Sequence, residues 1–143
     1  TPESLVPHLE KYINSFKVKP SAYDHFLAGE QKALSPQQQK GLRTFQRFGC
    51  HKCHSGQLLG GQARSFSPLA KRGAGLYQFT QLDVDQGVFL IPSLRSIKET
   101  APYFHDRRAK ELKEALEIKL NQFLYRRYSN SELDNLVQFL SVL

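Results

Sequence analysis

The chain has 143 residues, 40% of them hydrophobic and 23% charged, with 20 Lys and Arg against 13 Asp and Glu for a formal net charge of +7. That length suits one compact domain and leaves no room for a large enzyme, and no run approaches the ~20 unbroken apolar residues that a membrane-spanning helix needs. There are two cysteines and no methionine, not even at position 1, so Thr1 is expected to be a processed end or the start of a fragment, and no thioether sulfur can enter a metal site.

In chain order, Leu5, Leu9, Tyr12, Ile13 and Phe16 recur at helical spacing, and Pro20 closes that element. A short helix over 22–28 ends at Gly29. Ser35 is a good N-cap, followed by Pro36 at the first helical position and Gln38 where a capping-box side chain reaches back, and this helix carries Leu42, Phe45 and Phe48 into Gly49. From Ser55 to about Gln86 the chain is rich in Gly, Ser and Gln without sustained periodicity, which predicts a long loop of the kind that wraps something. Pro92 starts a short helix through Ile97, and Pro102 separates it from a strong helix over 109–123. Ser129 and Glu132 form a capping box for the last helix, whose Leu133, Leu136, Val137 and Leu140 share a face. There is no internal repeat and no convincing strand, so the expected class is all-α. Residues 1–20 read as an N-terminal helical extension or linker and residues 21–143 as the domain proper.

Basic residues are spread along the chain, with local pairs such as Lys71–Arg72, Arg107–Arg108 and Arg126–Arg127. No basic tail or recognised motif accompanies them, so no nucleic-acid partner is expected and most of this charge is a solvated surface.

The most informative stretch is Cys50-His-Lys-Cys-His54. In a C-x-x-C-H arrangement two thiols one helical turn apart can each form a thioether bond to one haem, and the adjacent His54 is aimed at its iron. Structural zinc needs about four ligands and usually a second Cys pair, which is missing, and a thioredoxin-like redox pair would sit in a βαβ setting that this chain lacks. One covalent haem c is therefore the expected cofactor. Gly41 with Phe45, and Leu136 with Phe139, lie at spacings that would let a glycine notch on one helix receive an aromatic from the other, as well as serving as ordinary core. His8, His25 and His51 read as surface or packing histidines.

These residues resemble a known family. From about Tyr12 to Leu143 the chain is similar to the C-terminal, electron-accepting haem domain of bacterial dihaem cytochrome c peroxidases and their MauG-like relatives. The matching stretches are 21–30 (Ser-Ala-Tyr-Asp-His-Phe-Leu-Ala-Gly-Glu), 33–37 with Gly41 and Phe45, 49–56 around the cysteines, 85–95 (Asp-Gln-Gly-Val-Phe-Leu-Ile-Pro-Ser-Leu-Arg) and 100–106 (Thr-Ala-Pro-Tyr-Phe-His-Asp). The resemblance implies a class I cytochrome c-like fold with a long haem-wrapping loop. No second C-x-x-C-H occurs, so the peroxide-reacting haem of that family is absent from this chain. Arg107 stands where the family usually has glycine after His-Asp.

The family completes this iron with a residue fourteen positions past the His of the Tyr-Phe-His-Asp segment, typically Met and in the MauG branch Tyr; counting from His105 reaches Lys119. Leu112, Ala115, Leu116, Lys119 and Phe123 share one helical stripe, so Lys119 lies near the centre of an apolar face. A lysine there can bury its stem and snorkel its ammonium, or lose its proton and bind iron. Reaching the neutral amine at pH 7 from a pKa of about 10.4 costs about 4.6 kcal/mol, which burial and an iron–nitrogen bond would have to offset. His105, Tyr103, Asn121, Tyr125 and an open or water-bound iron are the competing sixth positions. Arg95 is expected either to neutralise a haem propionate or to lie on the surface, and Phe104 and Tyr103 to pack on the macrocycle or simply in the core.

The function expected is a monohaem c-type cytochrome carrying single electrons, its basic surface suited to an acidic redox partner protein. The alternatives are an electron-relay domain of a peroxidase or other haem enzyme, and a small-gas binder with a displaceable sixth ligand. Haem attachment of this type takes place outside the cytoplasm in the family, which implies the periplasm. Both cysteines are consumed by haem, so no disulfide is expected.

Overall fold

The computed structural model describes residues 2–15, 19–61 and 63–143. Its helices are α1 (Pro2–Ser15), α2 (Ala22–Leu27), α3 (Pro36–Arg47), the single turn α4 (Tyr77–Thr80), α5 (Leu112–Ile118) and α6 (Asn130–Leu140). Among the described residues no helix is long and apolar enough to cross a membrane.

Three capping boxes start three of these helices. Ser35 and Gln38 start α3, and Ser129 and Glu132 start α6, each side chain answering the other residue's backbone N–H, as the spacing predicts. The third, Ser21 with Asp24, starts α2. Helices α3 and α6 cross at Gly41, where a Cβ would run into the Asn135 carbonyl and lie 2.6 Å from the Cβ of Phe139. The predicted notch is therefore real: Phe139 and Leu136 are buried at 1% and 0% exposure, and the Phe139 ring meets Phe45 edge-on at 5.5 Å. Tyr23 of α2 meets the same ring at 5.3 Å, so one phenylalanine joins three helices. Ion pairs Arg47–Glu132 and Lys113–Asp134 (2.8 Å) tie α3 and α5 to α6 at the rim.

Helix α1 forms where its pattern predicts, although Phe16 lies outside the described residues. Leu5, Leu9, Tyr12 and Ile13 are each more than half exposed.

Three expectations need correction. The chain is not all-α: β1 (Arg64–Phe66) and β2 (Val88–Leu90) form an antiparallel two-stranded sheet with Arg64 opposite Leu90 and Phe66 opposite Val88. Three residues per strand are too few for alternation to be visible, and β1 lies inside the predicted loop while β2 follows just after it. The segment from Pro92 is not helical either. Its backbone bonds the 57–61 loop instead, through Gly61 N–H to the Ile91 carbonyl (2.7 Å) and Leu94 N–H to the Leu59 carbonyl (3.2 Å), leaving only a tight turn at Ile97–Glu99. Helix α5 begins at Leu112 rather than Ala109, because Ala109 is bridged to Tyr103, whose N–H donates to the Ala109 carbonyl at 2.7 Å. Between them Arg107 adopts φ 57°, the left-handed region that glycine favours. The turn is thus made by a residue with a Cβ, at a strain of about 1 kcal/mol.

Candidate functional site

Helix α3 stops at Arg47, and Gly49 reverses the chain with φ 79° into a single helical turn, Cys50–Lys52. That turn continues through Cys53 N–H and His54 N–H, which both bond the Cys50 carbonyl at 3.2 and 2.9 Å. The two thiols consequently sit one turn apart, Cys50 half-buried and Cys53 exposed, and neither is in a disulfide. Burial pushes the Cys50 thiol up to about 11, with the Lys119 charge acting in the opposite sense.

The His54 ring is oriented by backbone. Its Nδ1 lies 3.0 Å from the Leu59 carbonyl, which can only accept, so Nδ1 carries the proton and Nε2 keeps its lone pair for a metal. Burial lowers the His54 pKa and the Lys119 charge adds to it, while the hydrogen bonds to the Leu59 and Pro92 carbonyls work the other way. Leu59 and Pro92 act through main-chain oxygen, so no side-chain signal in the sequence could have pointed to them.

Helix α5 does not continue as an ideal helix. Lys119–Phe123 forms a π-turn, closed by Leu124 N–H on the Lys119 carbonyl at 3.0 Å. Such turns add one residue to a helical revolution and recur at functional positions. Leu120 points into the core at 1% exposure, while the Lys119 ammonium stands 4.0 Å from the centre of the Phe123 ring. Phe104 stacks parallel to Phe123 at 6.0 Å. Burial lowers the Lys119 pKa, against the attraction of the two cysteines close by.

The other sixth-ligand candidates are engaged elsewhere. His105 is exposed and stacks on Phe89 at 4.2 Å, and the Tyr103 hydroxyl donates to the Ile97 carbonyl at 3.0 Å. Asn121 donates to the Tyr128 hydroxyl at 3.1 Å, and Tyr125 is 79% exposed. Lys119 is the one among them whose charge is felt at Cys50 and His54.

Arg95 has already found its anion. Nη2 and Nη1 donate to the two Asp24 carboxylate oxygens at 2.7 and 3.0 Å, Nη1 also reaches Ser21 Oγ at 3.1 Å, and Nε donates to the Gln57 carbonyl at 2.9 Å. Asp24 went unnoticed in the sequence, although Ser-x-x-Asp at 21–24 is itself a capping signal.

Among the described residues, no group of three or more His, Cys, Asp or Glu side chains can hold a metal ion alone. Two thiols one helical turn apart and the adjacent imidazole do not gather around a single ion, and they fit a metal whose other ligands come from a macrocycle tethered by the thiols.

No family profile matches the chain. It is 36% identical to the cytochrome c551 peroxidase of Pseudomonas aeruginosa, over 96% of this chain and 42% of that protein. It is 34% identical to the cytochrome c551 peroxidase of Nitrosomonas europaea, over 86% and 39% respectively. With the cytochrome c peroxidase Ccp of Escherichia coli it shares 30% identity, over 96% of this chain and 32% of that protein. Among solved structures, a MauG-like protein associated with microbial copper homeostasis matches with a TM-score of 0.73 at 27% identity, over 85% of this chain and 47% of that one. The chain thus spans less than half the length of each of these relatives.

Proposed function

The chain belongs to the bacterial cytochrome c peroxidase and MauG-like family, and from that premise we propose that it is a class I cytochrome c-like electron-transfer domain carrying one covalent c-type haem. The observation that carries the proposal is the imidazole of His54, locked with Nε2 free beside two thiols one helical turn apart. When bound, the haem supplies a one-electron Fe(III)/Fe(II) couple.

Cys50 and Cys53 anchor it as thioethers, His54 binds through Nε2, and Lys119 completes the set through its neutral amine. Burial at Lys119 favours that neutral form, and the Phe123 ring faces the ammonium whenever the amine is protonated and released. Phe104 and Phe123 wall this side with apolar surface and exclude water. The loop over 55–86, which carries β1 and leads into β2, is the haem-wrapping segment. Residues 21–143 make up the haem domain, with residues 1–20 as an extension on which Leu5, Leu9 and Ile13 are more than half exposed. The exposed Lys and Arg side chains suit an acidic redox partner, and the peroxidases among the relatives favour a role as the relay domain of such an enzyme, in the periplasm.

The test is the ferric spectrum of wild type and Lys119→Ala across pH, with a pyridine haemochrome assay for covalent haem. One haem per chain and conversion of a low-spin to a high-spin or water-bound ferric state on substitution is the expected outcome. A spin state and pH response unchanged by the substitution excludes Lys119. A high reduction potential of the kind that His and Met ligands produce would equally count against it, since a nitrogen donor favours ferric iron more than a thioether does.

A further inference from the structure

We infer that the Asp24–Arg95 ion pair is a positioning element for His54, acting through three consecutive carbonyls of the loop that follows the cysteines. The inference rests on the reading of His54 as the iron's fixed ligand. Residues 93–95 receive each of those carbonyls in turn. Arg95 Nε donates to Gln57 O at 2.9 Å, the Ser93 hydroxyl to Leu58 O at 2.6 Å, and Leu94 N–H to Leu59 O at 3.2 Å. Leu59 O is the same atom that accepts the His54 Nδ1 proton. The Ser93 hydroxyl also accepts the Arg95 N–H at 3.1 Å, which holds the donors in register with one another.

The Gln57 rung runs through the Arg95 side chain, and Asp24 fixes where that side chain lies. The carboxylate takes two guanidinium bonds, and also the Ser21 N–H and hydroxyl at 2.8 Å each, so the anchor is itself set by the first turn of α2. Side-chain exposures of 21% for Arg95 and 34% for Asp24 put the pair in a partly shielded environment, where a two-point Arg–carboxylate contact is geometrically selective. The contact spans 71 positions of sequence, so it ties the α2 segment directly to the histidine loop. Partners of a metal-bound histidine fix its ring orientation and its strength as a donor. Loosening Asp24–Arg95 is therefore expected to weaken the Nδ1–H bond and make His54 a poorer donor, while leaving the ligands themselves in place.

The experiment measures solvent exchange of the His54 Nδ1 proton by NMR in the reduced, haem-loaded protein, for wild type, Asp24→Asn and Arg95→Gln, together with the reduction potential and the melting curve. Both variants are expected to speed the exchange about tenfold, the scale of one hydrogen bond, although they change the local charge in opposite senses. An exchange rate left at the wild-type value in either folded variant, with the two potentials displaced in opposite directions, would mean simple electrostatics and overturns the inference. Should those variants fail to fold, Ser21→Ala removes the hydroxyl that Arg95 Nη1, the Asp24 carboxylate and the α2 cap share, and keeps both charges. It is expected to speed exchange by a smaller factor, and no change there overturns the proposal. If the wild type takes up no haem, the haem reading fails, and the same exchange measured in the haem-free protein still decides the clamp.

Discussion

The two walls of the candidate haem site are built on opposite principles. The His54 wall is backbone against backbone: the 57–61 loop and residues 91–95 exchange main-chain bonds, and the imidazole takes its orientation from a carbonyl inside that ladder. The Lys119 wall is a π-turn held by one buried apolar anchor, Leu120, with its polar group resting on an aromatic face. A main-chain ladder fixes an atom to a fraction of an ångström, whereas a long lysine over a ring keeps several rotamers within reach. The fold thus preorganises one candidate ligand and leaves the other adjustable.

The largest effect should come from breaking the rigid wall at Gly60. It has φ 136°, and a Cβ there would overlap the Pro92 carbonyl, so Gly60→Ala combines a forbidden backbone region with a clash against main chain. A loss of about 3 kcal/mol or more in denaturant unfolding is expected. Leu120→Ala tests the anchor of the adjustable wall and is expected to cost about 3 kcal/mol, the usual price of a fully buried leucine. Phe123→Leu keeps the apolar volume and removes the ring under Lys119; about 1 kcal/mol in unfolding is expected, with the larger change in the ferric spectrum.

Acid distinguishes the walls with the smallest effect. Burial disfavours the charged form of Asp24, but the Ser21 N–H and the Arg95 guanidinium outweigh it and hold the carboxyl below its ordinary 3.8. A depressed folded value means that this stabilisation is complete above the ordinary value and is lost as pH falls through the lower, folded one. The melting temperature of wild type should therefore fall more steeply than that of Asp24→Asn as pH is lowered from about 5 to about 2. Glu132, held at about 2 by Arg47, contributes acid sensitivity common to both proteins and cancels in the comparison.

Much of this was legible in the chain. The caps at Ser35 and Ser129 and the Gly41–Phe139 crossing followed from local rules, since a cap needs only side chains three residues apart and a notch only the absence of one. The Cys50-x-x-Cys53-His54 turn was equally readable. The two strands were not, because three residues carry no period, and the supposed helix after Pro92 gave way to a ladder whose acceptors lie more than thirty positions earlier. Arg95 illustrates the limit: its side chain announced a search for an anion, and only folding supplied Asp24 in that role.

Sequence alone determined the cofactor chemistry on offer, because thiol, imidazole and amine are properties of side chains and the lack of any methionine excludes a thioether ligand from within the chain. Tertiary structure decided which of those groups converge and how each is held. The Leu59 carbonyl that orients His54 and the π-turn that carries Lys119 are main-chain features that no residue type encodes. Nor could the pattern of α1 reveal that Leu5, Leu9 and Ile13 would stay more than half exposed while the face of α6 closed over Gly41. Periodicity specifies a face, and only a complementary surface brought near in space determines whether it is buried.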